Sequence, residues 1–161
     1  MIQGSVSTIV DATAEHIFRV LVSKIDTKAL NRPEPSKLKV MQRHGEAYMR
    51  ERTTEGQSYT ERINIDNSGR RITYTLIDHP YFEGYISEQL LRSDNQPGCI
   101  LAFTVDWRLK DEVEYSEELP DLLEMANDEL FHIKEIIEKE AAIEAAAAAA
   151  AAENEPQNVV P

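Results

Sequence analysis

Glu61 alternates with Tyr59, Ile63 and Ile65 along an expected strand from Gln57 to Asp66. If that row faces inward, a carboxylate stands among apolar and aromatic side chains. Burial there favours the protonated form of a carboxyl and makes it usable as a general acid or base. On the preceding strand Arg50 and Arg52 share a face with Tyr48, while Glu51 lies opposite with Met49 and Thr53. Two roles stand open for these arginines. They anchor a ligand, or they pair with a carboxylate and hold the interior of the sheet together.

Further candidates are aromatic or amide side chains that give a binding site flat walls and polar tips. Tyr74, Tyr85, Phe103 and Trp107 occupy alternating strand positions. His79 precedes Pro80 at a strand break, either at a cavity mouth or simply on a surface loop, and Asn127 flanks the apolar stripe of a helix. Metal chemistry is not expected, because His16, His44, His79 and His132 form no close pair. No glycine-rich phosphate loop or nucleophile elbow occurs, and Cys99 has no evident basic partner, so no cofactor is expected.

The elements that must position these residues are legible from periodicity. Ile2 to Val10 reads as a strand, and Asp11-Ala12-Thr13 offers capping side chains to a helix from Ala14 to about Lys24. Its buried stripe is Ile17, Phe18, Leu21 and Ile25, and a second helical piece is expected over Asp26 to Asn31. Strands follow at Leu38–His44, Ala47–Thr54, Gln57–Asp66, Arg71–Ile77, Tyr81–Ser93 and Cys99–Lys110, separated by short turns such as Asn67-Ser68-Gly69. Last comes a long helix expected from Ser116 to about Lys139, with Leu119, Leu122, Leu123, Ala126, Leu130, Ile133 and Ile137 on one stripe. An antiparallel meander with one apolar face needs a cover, and this helix is the candidate. The fold class is therefore α+β, an antiparallel sheet of six to seven strands curved around a long C-terminal helix, with two short helices after the first strand. The folded domain is expected over 1–140, and the Ala-rich segment and tail over 141–161.

Composition bounds the function. The chain has 161 residues, 42% hydrophobic and 29% charged, with a net charge of −12. That charge repels phosphate and argues against a nucleic-acid or anionic-membrane surface. No stretch reaches the roughly eighteen unbroken apolar residues of a membrane span. A lone cysteine and a start without basic or apolar leader character suggest a cytoplasmic protein, monomeric or homodimeric.

The segment Val10-Asp-Ala-Thr-Ala-Glu-His-Ile-Phe18 resembles the opening of the START-like (SRPBCC, birch-pollen-allergen-like) superfamily, with Thr13 where proline is common. Arg50-Glu51, Glu61-Arg62-Ile63 and Phe103-Thr104-Val105-Asp106-Trp107 are similar to its AtaL-like branch. The resemblance spans about Ile2 to Ile137 and implies a helix-grip fold with an internal cavity for a small apolar or aromatic molecule. It also implies either a cofactor-free cyclase, dehydratase or condensing enzyme of natural-product biosynthesis, or a non-catalytic carrier or sensor. In the enzyme, Glu61 is the candidate catalytic residue. Arg50, Arg52, Tyr59, Tyr74, His79, Tyr85, Phe103, Trp107 and Asn127 are the candidate ligand contacts.

Overall fold

The computed structural model describes residues 1–26, 36–44, 47–54, 57–92, 98–115 and 121–154. The elements run β1 (Ile2–Val10), α1 (Ala14–Asp26), β2 (Ser36–His44), β3 (Ala47–Thr54), β4 (Gln57–Asp66), β5 (Arg71–Leu76), β6 (Phe82–Arg92), β7 (Cys99–Leu109) and α2 (Leu122–Glu153). All seven strands form one antiparallel sheet in the order β1-β7-β6-β5-β4-β3-β2. Consecutive strands pair as expected of a meander. The exception is β1, which lies at the opposite edge from β2 and pairs with β7.

Thr13 explains its own presence at the opening of α1. Its hydroxyl accepts from the N–H of His16 at 3.2 Å, capping a donor that the helix itself cannot satisfy. The expected helical piece over Asp26 to Asn31 lies, beyond Asp26, outside the described residues.

The long helix begins later than Ser116. Its first residue is Leu122, and the Asp121 side chain caps it by accepting from the N–H of Glu124 at 3.0 Å. Aspartate caps as well as serine does. Residues 116–120 lie outside the described set. The helix then runs without a break through the alanine segment to Glu153.

Leu122, Ala126, Leu130, Ile133 and Ile137 are its buried residues, and it packs chiefly on β1 and secondarily on β7. Gly4 permits the close approach, since a Cβ there would stand 2.8 Å from the Leu123 side chain. Lys134 donates to the carbonyl of Ile9, and Glu138 accepts from the N–H of Asp11 at 2.9 Å, which ties the same flank to the end of β1. The inner faces of β3 and β6 are reached from α1, by the Ile25 carbonyl at Arg50 and by Lys24 at Glu88.

Candidate functional site

Register brings the strand residues together. Arg50 on β3 stands opposite Glu61 on β4, Arg52 opposite Tyr59, and Tyr48 opposite Ile63. Across the next ladder Glu61 faces Leu76 and Ile63 faces Tyr74. All these residues belong to the inner face, where Arg50 is 2% and Glu61 5% exposed.

Glu61 is not a lone carboxylate. Arg50 Nη2 and Nε donate to its Oε1 at 3.0 and 3.3 Å, and Arg50 Nη1 donates to the carbonyl of Ile25 at 3.4 Å. Arg52 adds an ion pair, Nε to the same oxygen at 3.5 Å, without a hydrogen bond. The expectation of an isolated acid in apolar surroundings gives way to the pairing alternative, because a charge buried this deeply requires a partner. Burial opposes the charge on Arg52, but Glu61, with Tyr59 and Glu129, outweighs it and holds the guanidinium above the ordinary arginine value. Burial, with Glu61 adding to it, pushes the Tyr59 phenol up against the pull of Arg52.

Next to this cluster lies an aromatic nest. His79 is buried, not on a surface loop. Its ring sits 4.8 Å from Tyr59, 5.3 Å from Phe82 and 5.5 Å from Trp107, centre to centre. The N–H groups of Tyr81 and Phe82 both donate to its Nδ1 at 3.1 Å, so that nitrogen carries no proton and the ring secures the start of β6. Burial, helped by Lys110 and opposed by Asp78, lowers its pKa. Trp107 is buried in the same nest, and its indole N–H has no hydrogen-bond partner.

Two candidates fall elsewhere. Tyr85 is on the outer face of β6, 39% exposed and opposite Asp106, so it does not line the interior. Gly84, with φ +128, takes the inward position opposite Trp107, where a Cβ would collide with the carbonyl oxygen of Asp106. Asn127 is half-buried on the α2 row of Leu123 and Lys134, two residues that reach β1.

Tyr74 and Phe103 do face inward, and there they meet a group of residues that the sequence reading does not single out. Lys24 of α1 is 8% exposed and Glu88 of β6 is 4% exposed. Lys24 Nζ pairs with Glu88 Oε1 and, at 3.3 Å, with Glu129 of α2. The same ammonium stands 5.2 Å from the Phe103 ring centre and 5.7 Å from that of Tyr74. Arg50 approaches the Tyr74 ring at 5.1 Å. Burial, with Glu129 adding to it, pushes the Glu88 carboxyl up against the pull of Lys24. Burial and Glu88 push the Tyr74 phenol well up. The Tyr74 hydroxyl and Glu88 Oε2 are both buried, and the hydroxyl helps to stabilise the Glu88 carboxylate. The sequence does carry a signal for this group, since Lys24 falls on the stripe of Ile17 and Leu21, and Glu88 between Ile86 and Leu90.

Two surface clefts, of about 330 and 580 Å³, lie away from this interior, one beside His16 and Glu144 and the other beside Arg70 and Cys99. Neither touches the buried charges, and the unpartnered polar atoms mark the interior as the candidate site. Among the described residues no group of His, Cys, Asp and Glu is arranged to hold a metal ion, and no helix is long and apolar enough to cross a membrane.

No family model matches the chain, and no curated protein matches it. Solved structures do. The Zhui aromatase/cyclase from Streptomyces is similar at 16% identity and TM-score 0.64, over 86% of this chain and 94% of that one. Ara h 8.0201 matches at 15% identity and TM-score 0.57, over 88% and 97%. A START superfamily protein from Mycobacterium smegmatis matches at 17% identity and TM-score 0.55, over 87% and 97%. The chain has the START-like helix-grip fold.

Proposed function

We propose that the protein binds a small, largely apolar or aromatic metabolite between sheet and helices and acts on it as a cofactor-free cyclase- or aromatase-type enzyme. The observation that carries the binding half is the polar lining of the inner face, the charges of Glu61 and Glu88 and the buried Trp107 indole N–H, which has no hydrogen-bond partner. Such an N–H costs free energy in a dry core, and a bound molecule satisfies it. The catalytic half rests on the half-buried Arg52 beside the buried Glu61. A guanidinium fixed there stabilises the enolate of a carbonyl substrate, and Glu61 moves the proton. An AtaL-like protein of natural-product biosynthesis, working in the cytoplasm, fits this reading.

A second reading, a non-catalytic carrier or sensor, draws on one specific feature. Glu61 Oε1 is already engaged by Arg50 and Arg52, and a carrier leaves that pairing undisturbed. Native mass spectrometry of the freshly purified protein tests the shared premise. A bound aromatic or largely apolar small molecule is expected. Protein that arrives empty and binds neither naphthalene-type nor fatty-acid probes removes both readings.

A further inference from the structure

The cleft of about 580 Å³ beside Arg70 and Cys99 lies where several chain segments meet. The β4–β5 turn contributes Ser68, Gly69 and Arg70, the end of β6 contributes Leu90 to Arg92, and α1 begins there at Ala14. Register keeps the two arginines near each other. The Arg70 carbonyl accepts from the N–H of Leu90 at 3.0 Å, and Arg92, two residues further along β6, pairs with Cys99 of β7.

No carboxylate stands among the described residues that line this cleft. The chain has 29 acidic residues against 17 basic ones, so anions are not scarce. Arg19, Arg50, Arg52 and Arg108 all have ion-pair partners, and Arg71 donates to Gln89. Among the described residues, Arg70 and Arg92 have no ion pair and no side-chain hydrogen bond. Asp66, the acid of the same turn, accepts instead from the Ser68 hydroxyl and the Gly69 N–H. Glu15, in the first turn of α1, lines the other cleft. Arg70 also holds a left-handed backbone, φ 49, which glycine adopts more readily than a residue with a long side chain. The start of α1 adds unsatisfied N–H groups and the positive end of a helix dipole. Leu90 and Leu91 give the cleft an apolar wall.

We propose that this cleft is a second binding site, separate from the interior, for a small phosphate monoester. Two unneutralised guanidinium groups match a dianion better than the single charge of a carboxylate. Each can also offer parallel N–H donors to phosphate oxygens. A compact apolar body on the ester lies against Leu90 and Leu91. Occupancy here does not depend on what the interior binds.

Amide NMR on the isotope-labelled full chain, titrated with phenyl phosphate, tests this. At about pH 7.5 the ester is a dianion, and the amides of Gly69, Arg70, Gly98 and Cys99 are expected to shift along one saturation curve. Arg70→Ala and Arg92→Ala should each weaken binding about tenfold, as loss of one charge-assisted hydrogen bond does. Both side chains are exposed and unpaired, so neither substitution threatens the fold. Arg62→Ala, at an exposed arginine outside the cleft, should leave the affinity unchanged. Benzoate should bind more weakly, and phenol should not shift these amides. Benzoate as tight as the ester, or phenol acting on the same amides, overturns the phosphate assignment. The site itself is overturned by no shift with the ester at about 10 mM, where even millimolar affinity would nearly saturate it. A shift that survives both arginine substitutions at full affinity overturns it too. So do shifts confined to interior residues such as Tyr74 and Trp107.

Discussion

Arg50 and Glu61 stand directly opposite each other on β3 and β4 and form a buried ion pair with two hydrogen bonds, at 3.0 and 3.3 Å. Both lie on the inner face, so neither charge is relieved by solvent. Removing one partner strands the other in a medium where it is expensive. Arg50→Met is therefore expected to lower stability by about 3–5 kcal/mol, and Arg50→Met with Glu61→Leu to recover much of that loss. Urea denaturation of the two variants checks this. A single variant as stable as the wild type would show that the pair is not desolvated.

His79 sets a pH dependence whose sign follows from its lowered pKa. Between that value and the unfolded-state value of 6.5, the folded chain binds fewer protons on this ring than the unfolded chain does. Its contribution is thus fully present above the unfolded value and is lost as pH falls through the window toward the folded one. Protonating Nδ1 also breaks the two bonds from the N–H groups of Tyr81 and Phe82. Denaturation midpoints at pH 7.5 and 5.5 should converge for His79→Asn relative to the wild type. A wild-type midpoint that rises on acidification would refute the assignment.

The far end of α2 offers a test of where the domain stops. His16 is buried, with Nε2 at 2.9 Å from Glu140 and Nδ1 at 3.7 Å from Glu144, and Arg19 reaches Glu144 at 3.7 Å. Beyond Ala145 the helix is exposed on all sides. A chain ending at Ala146 is expected to keep its thermal midpoint within about 1–2 °C. Ending it at Lys139 removes pairs worth roughly 0–1 kcal/mol each and should cost a few degrees. Scanning calorimetry distinguishes these. A large drop already for the chain ending at Ala146 would mean that the alanine segment has a docking partner of its own.

The strand ladder was legible because alternation and short turns agree along most of the chain, and the observed strands match it to within a residue or two. The start of α2 was not, because Ser116 and Asp121 are both acceptable caps in the sequence and Asp121 is the one seen capping. The outward face of Tyr85 was hidden for a related reason. Both faces of β6 carry large apolar side chains, Phe82 and Ile86 on one and Tyr85 and Leu91 on the other, and only pairing with β7 decides which is inner. The Arg50–Glu61 pair was within reach. Counting back from Thr54 opposite Gln57 puts Arg50 against Glu61, so the register of one hairpin separates a lone acid from a paired one.

Glu61 itself separates an enzyme from a carrier. Glu61→Gln keeps the shape of the side chain and an oxygen for Arg50, and removes the carboxylate that would move a proton. If Glu61 is the acid or base, the rate on a carbonyl substrate should fall on the order of a hundredfold or more while ligand affinity changes little. A carrier has no rate to lose, and its affinity should shift only as far as the arginines, released from their carboxylate, re-aim toward the ligand. The substitution also weakens a buried ion pair, so a stability measurement must accompany the kinetics. Rates are compared only under conditions where both proteins are fully folded. Should the folded variant keep its full rate, proton transfer by Glu61 is excluded. The carboxylate would then serve to hold Arg50 and Arg52 in place, and Arg52→Lys would become the variant that exposes the chemistry, because a lysine cannot reproduce the planar guanidinium's two-point contact with an enolate or carboxylate.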